Sequence, residues 1–238
     1  MLRFLGIGAQ KAGTTWLFSM LSRHPELSFP AGKEVHFWDQ QYDRGIDWYR
    51  GLFRSDEPCL EGEITPAYAI LAPERIRECH AHFPHIRLVY LIRNPIERAW
   101  SSALMALTRA EMTLPEASDR WFIDHFSSAG SRARGDYAAC IAAWTGVYTK
   151  EQLLIRPFEM LRDQPRDLLA DVCAHIGVVQ DPLSSLDDDL LRRNVSPVQG
   201  VESASIRPSL LPYLRRLYGP GIAALSDLLG IDFRHWQN

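Results

Sequence analysis

Apolar runs of strand length punctuate the chain: LRFLGIG at 2–8, IRLVYLI at 86–92 and QLLIRPF at 152–158. Each is followed by a stretch with apolar residues at helical spacing, which gives a helix one buried face. Strand then helix, repeated, predicts a parallel sheet covered on both faces, because parallel neighbours need a crossover connection. CLEGEIT (59–65) and LSF (27–29) predict two shorter strands. After the first run, Trp16, Leu17, Met20 and Leu21 fall on one helical face, and His24-Pro25 ends that helix. Further helices are predicted over 73–83, 95–110, 137–148, 165–176 and 207–229, the last broken near Gly219-Pro220-Gly221. The small, basic stretch SSAGSRARG (127–135) reads as a flexible loop and 180–205 as a long irregular connection. The expected fold is α/β: one domain over 1–238, a central parallel sheet of about five strands flanked by helices, and a P-loop-like phosphate-binding turn after the first strand.

Composition narrows the function classes. A chain of 238 residues that is 46% hydrophobic can bury a sizeable core, and a net charge of −3 gives no global case for nucleic acid or an anionic membrane. The apolar stretch at the start is too short for a signal peptide or a membrane span, so a cytoplasmic location is expected. Cys59, Cys79, Cys140 and Cys173 are far apart and form no C-x-x-C pair, which indicates neither a zinc site nor a disulfide framework.

The candidate chemistry starts at GAQKAGTTW (8–16). A strand ending in Gly8, a turn through Gly13 and a helix opening at Thr14-Thr15 point backbone N–H groups and the positive end of a helix dipole at one spot. That spot suits an anion. A nucleoside triphosphate loop has a lysine directly after its second glycine. Here Thr14 holds that place, and the lysine, Lys11, lies in mid-loop. A second element, LVYLIRNPIERAWSS (88–102), delivers Arg93 at a strand's carboxyl end and Ser101 eight residues later. An arginine with a hydroxyl partner makes a charge-assisted cradle for another phosphate. Two phosphate sites suggest a nucleotide phosphorylated at two separate positions.

These residues resemble the sulfotransferase superfamily, whose donor is 3′-phosphoadenosine 5′-phosphosulfate. GAQKAGTTWL resembles its 5′-phosphosulfate loop and RNPIERAWS its 3′-phosphate motif. The resemblance implies that Lys11, Ala12, Gly13, Thr14 and Thr15, with Trp16 beside them, bind the 5′ side of the donor, and that Arg93 and Ser101 bind the 3′-phosphate. KEVHFWDQQYDRGIDWYRGLF (33–53) and EITPAYA (63–69) look like the heparan sulfate N- and O-sulfotransferase branch and its bacterial relatives. On that basis Glu34 is the first choice as general base, and His36 is the second candidate, to orient the acceptor or hold Glu34. Their alternating spacing in an extended segment would turn both the same way. Where the branch often has a lysine, in EKTPAY, this chain has Ile64; either another cation replaces it or the enzyme manages without it. The family's disulfide and basic polysaccharide cleft are not evident.

The implied activity is in-line sulfuryl transfer to an acceptor hydroxyl, with adenosine 3′,5′-bisphosphate as the second product. Lys11 would stabilise the leaving group, and no metal is invoked. The expected partner is a small-molecule or carbohydrate acceptor, not nucleic acid, and nothing in the sequence speaks to oligomeric state. Glu63 and Thr65 could line the acceptor side, or Glu63 could pin a loop. Arg132 and Arg134 read as solvated more readily than as a closing loop. Arg192, Arg193 and Asn194 stand where relatives bring a loop over the 3′-phosphate, and Trp38, Trp48, Tyr49, Tyr68 and Trp144 read as core. Two alternatives stay open: a P-loop kinase or nucleotide hydrolase, and a catalytically silent nucleotide-binding interaction module.

Overall fold

A computed structural model describes residues 1–54, 58–179, 181–192 and 204–237. All five predicted strands form: β1 (Leu2–Gly8), β2 (Leu27–Ser28), β3 (Leu60–Ile64), β4 (Arg87–Ile92) and β5 (Leu153–Pro157). In chain order the helices are α1 (Thr14–Leu21), α2 (Ile46–Gly51), α3 (Pro73–His82), α4 (Pro95–Arg109), α5 (Asp119–Ser127), α6 (Ala129–Gly135), α7 (Tyr137–Thr145), α8 (Phe158–Asp163), α9 (Pro165–Ile176), α10 (Asp181–Ser184), α11 (Asp188–Arg192) and α12 (Leu211–Leu229). None of the described helices is long and apolar enough to cross a membrane. The chain groups into two compact units, Met1–Ile92 with Ala143–Val195, and Arg93–Ala142 with Ser196–Asn238.

The first unit holds the whole sheet. Its strands run parallel in the order β2-β3-β1-β4-β5, so β1 lies between β3 and β4. The chain fills one side of β1 before crossing to the other, which places the turn after β1 at the topological switch point where α/β sheets bind ligands. Leu5, Leu88, Tyr90, Leu91 and Ile92 are wholly buried, as strands covered on both faces require. Trp16, Leu17, Met20 and Leu21 all face the core. Burying such a side chain contributes about 1.5–3 kcal/mol relative to leaving it exposed.

The second unit is helical. Trp100, Leu104 and Leu107 of α4 pack with Phe122 and Phe126 of α5 and with Leu214 and Tyr218 of α12. Two sequence expectations are corrected here. The stretch 127–135 is not a loop: Ser128 caps α6, its hydroxyl accepting from the Ser131 N–H, and the helix continues to Gly135. Arg134 bonds back to the Gly130 carbonyl within that helix. The C-terminal helix is not broken at Gly219-Pro220-Gly221, since α12 runs through Pro220. A helix-interior proline forfeits one hydrogen bond, but Leu214, Tyr218, Ile222 and Leu225 are buried on both sides of it, and that packing carries the helix across. In the connection 180–205, α10 and α11 are helical, and 193–203 lie outside the described residues.

Gly62 on β3 fixes how closely β1 side chains approach. A Cβ there would lie 2.0 Å from Cζ of Phe4, inside the core. Gly62→Ala is expected to lower stability by about 3 kcal/mol through overpacking, read from urea denaturation. A loss under about 0.5 kcal/mol would show that the Phe4 ring can move aside.

Candidate active site

The turn after β1 is built to leave donors uncovered. Gly13 takes the left-handed conformation at φ 86 as the N-cap of α1, and no side chain caps this end. A Cβ at Gly13 would fall 2.4 Å from Cδ1 of Leu161, which would have to shift, and the left-handed φ itself favours glycine. Lys11 is also left-handed, at φ 69, and half-buried. No acidic residue lies in the first turn of α1. The Thr14 and Thr15 N–H groups open the helix and therefore suit a phosphate or sulfate by both hydrogen bonding and dipole. Trp16 is buried, with its indole N–H donating to the Leu191 carbonyl at 2.8 Å. Arg192, exposed, ends α11, and Arg193 and Asn194 lie outside the described residues.

Glu34 and His36 lie in the same unit, on the segment between β2 and α2. This segment is not extended, as the sequence suggested: Glu34 has φ 65 and His36 φ 56. Non-glycine residues there cost on the order of 1–2 kcal/mol each, so the surroundings must impose the conformation. Even so, the two side chains meet. Glu34 Oε2 lies 3.2 Å from His36 Nε2, and His36 Nδ1 lies 3.0 Å from Asp39 Oδ2. The other oxygen of Glu34 accepts from the Lys33 ammonium. Partial burial opposes ionisation of Glu34, but the bonds and charge of Lys33, then of His36, outweigh it and hold the carboxyl below its ordinary value.

What imposes this conformation is Glu63, wholly buried on β3. Its carboxylate accepts from the hydroxyls of Thr65 at 2.6 Å, Tyr68 at 2.7 Å and Tyr49. The Thr65 and Tyr68 hydroxyls in turn receive backbone N–H groups of the segment. Phe37 donates to Tyr68 Oη at 2.8 Å, Trp38 to the same oxygen at 3.4 Å, and His36 to Thr65 Oγ1 at 3.5 Å. Burial pushes the Glu63 carboxyl up, and the hydrogen bonds of Thr65, Tyr49 and Tyr68 offset only part of that rise. Glu63 thus pins the loop, one of the two roles its sequence allowed. Ile64 is buried, and its carbonyl accepts the Glu34 N–H at 3.2 Å. The sequence reading missed the roles of Lys33 and Asp39 and took Tyr49 and Tyr68 as plain core. A glutamate inside an apolar strand, with hydroxyl residues two and five positions on, was the available signal.

In the second unit, Arg93 directly follows β4 and precedes the N-cap of α4, Asn94. Its guanidinium donates to Glu97 Oε2 through Nε at 3.1 Å and Nη2 at 2.9 Å. Ser101, half-buried, stands one turn beyond Glu97 on the same helix face. Arg132 is exposed.

The chain matches the Sulfotransferase domain family over residues 3–197. It belongs to the sulfotransferase family. This sulfotransferase is 32% identical over 182 residues to heparan sulfate glucosamine 3-O-sulfotransferase 6 of Mus musculus, covering 74% of this chain and 50% of the relative. It is 30% identical to the human 3-O-sulfotransferase 3B1, covering 74% of this chain and 44% of that one. The chain therefore spans about half the length of the curated relatives it matches. Among solved structures, a sulfotransferase from Alicyclobacillus acidocaldarius superposes with a TM-score of 0.77 at 27% identity, covering 100% of this chain and 99% of that one. A mouse sulfotransferase complexed with PAP shares the fold at a TM-score of 0.56 and 17% identity, over 93% of this chain and 84% of that one.

The Glu63 hub can be tested by removing one hydroxyl. Tyr68→Phe removes the acceptor of the Phe37 N–H and one of the two donors to Glu63 Oε1, and is expected to cost about 1–3 kcal/mol. Denaturation gives the cost, and hydrogen exchange should show the Phe37 amide losing protection. Unchanged protection would mean that the loop is held by something else.

Proposed function

We propose that this sulfotransferase moves a sulfuryl group from 3′-phosphoadenosine 5′-phosphosulfate to an acceptor hydroxyl, with Glu34 as general base. The observation that carries the reading is the Glu34 carboxylate itself. It is kept ionised between Lys33 and His36, on a loop anchored to β3, in the unit that also holds the uncapped phosphate turn. The family match supports the donor, and the 3′-phosphate motif Arg93 to Ser101 supports a nucleotide with two phosphate positions.

In the proposed step the acceptor oxygen bonds to sulfur as the bond from sulfur to the phosphate oxygen breaks. The acceptor proton passes to Glu34. Lys11, with the amides of Gly13, Thr14 and Thr15, takes up the negative charge that grows on the departing adenosine 3′,5′-bisphosphate. Arg93 and Ser101 hold the 3′-phosphate, which competes with Glu97 for the guanidinium. His36, braced by Asp39, orients Glu34. The names of the relatives favour a carbohydrate acceptor. A cytoplasmic location is part of this reading, in keeping with four cysteines that stand far apart in the sequence and form no C-x-x-C pair.

Glu34→Gln is expected to lower turnover by about 10²–10⁴-fold, measured as bisphosphate release against a panel of hydroxyl acceptors, while donor affinity stays unchanged. Glu34 titrates below its ordinary 4.5, so kcat/KM of the wild type should fall only at pH below that value, as the base takes up its proton. Lys33→Met removes the main stabiliser of the ionised form and should move this acid limb to higher pH. Full activity in Glu34→Gln, with activity abolished in His36→Ala, would transfer the base role to His36.

A further inference from the structure

The turn that presents Arg93 is held by two residues distant in sequence, one on the Arg93 backbone and one on the Asn94 side chain. The Tyr137 hydroxyl, at the start of α7, donates to the Arg93 carbonyl at 2.7 Å and lies 3.4 Å from the Arg93 N–H. Asn94 uses both ends of its amide. Its Oδ1 accepts the Ile96 N–H at 3.0 Å, capping α4, and its Nδ2 donates to the Trp236 carbonyl at 2.9 Å. Tyr137 and Trp236 are each 2% exposed, while Arg93 and Asn94 are half-buried, so these bonds are shielded from water on one side. The tail that supplies Trp236 is itself anchored. Its Phe233 N–H donates to Ser226 Oγ on α12 at 3.1 Å, Trp236 N–H donates to the Phe233 carbonyl at 2.9 Å, and the two rings lie 4.4 Å apart.

We propose that Tyr137 and the Trp236 carbonyl are positioning groups for Arg93: together they fix the origin of its guanidinium and so set selectivity for a nucleotide carrying a 3′-phosphate. The inference rests on the donor reading above. Its physical basis is that a guanidinium fork recognises phosphate only in a narrow geometry, and a displacement near 1 Å on a bound group can cost about 10²-fold. The Arg93–Glu97 pair orients the far end of the side chain but leaves its backbone origin free to shift along the turn. Tyr137, on the Arg93 carbonyl, and Trp236, on the Asn94 amide, remove that freedom. Neither group touches the nucleotide in this account; each acts through Arg93.

Calorimetric titration with adenosine 3′,5′-bisphosphate and with adenosine 5′-phosphate tests the proposal. Tyr137→Phe keeps the ring and loses only the hydroxyl. Asn94→Ser keeps a side-chain oxygen to cap α4 and loses the donor to Trp236. Each variant should weaken bisphosphate binding by about 5–10-fold while 5′-phosphate binding changes by less than about two-fold. In an Arg93→Ala background, Tyr137→Phe should weaken bisphosphate binding no further, which a general packing defect would not reproduce. Thermal melts of the same samples show whether each variant is folded. Equal losses for the two nucleotides, no loss, or additive losses on top of Arg93→Ala would overturn the positioning role. A folded wild type that does not prefer the bisphosphate would instead remove the donor reading, and this proposal with it.

Discussion

A glutamate without any exposed surface sits on β3 and accepts hydrogen bonds from three hydroxyls, those of Thr65, Tyr68 and Tyr49. Taking a carboxylate out of water is costly unless its lone pairs are satisfied, and here the donors are side chains of the adjoining strand end and α2. Because each hydroxyl of Thr65 and Tyr68 also accepts a backbone N–H, the charge is coupled to the main chain of residues 36–38. Phe37, stacked on Tyr49 at 4.4 Å and 9°, closes the same arrangement from the apolar side. The left-handed backbone of Glu34 and His36 persists because this network over-determines the segment. Glu34, the proposed base, thus lies on a loop ordered by a second carboxyl group that stays in the core.

The turn after β1 follows a different logic, since no side chain caps the helix end that it opens. Gly13 starts α1 without a capping side chain, in a left-handed conformation where a Cβ would also press on Leu161. The turn keeps the glycine spacing of a nucleoside triphosphate loop but not the lysine that follows the second glycine; Thr14 stands there. Its cation, Lys11, comes from mid-loop. That difference separates the sulfuryl-donor reading from a kinase, because the lysine of a kinase-type loop reaches the terminal phosphates from the helix end.

The sheet was legible in the sequence because its strands are doubly buried and read as continuous apolar runs, and because short βα turns punctuate them. Arg93 and Glu34 are candidates by motif alone. The conformation of the 34–36 segment was not legible, since its backbone is held by the Ile64 carbonyl and the hydroxyls of residues 65 and 68, far off in the chain. The misread loop at 127–135 shows the same limit. A run of serine, glycine and arginine has weak helix propensity, yet a capping serine and burial of Ser131 and Gly135 make it helical. At Pro220 the local breaker signal was correct chemistry, outweighed by the packing of α12.

The most direct test of the central claim is calorimetric titration of the wild-type protein with adenosine 3′,5′-bisphosphate beside ATP plus magnesium. The account predicts tight binding of the bisphosphate, independent of magnesium, and little or no binding of magnesium-ATP. Tight binding of magnesium-ATP with none of the bisphosphate would contradict it, and the turn after β1 would then be a nucleoside triphosphate loop.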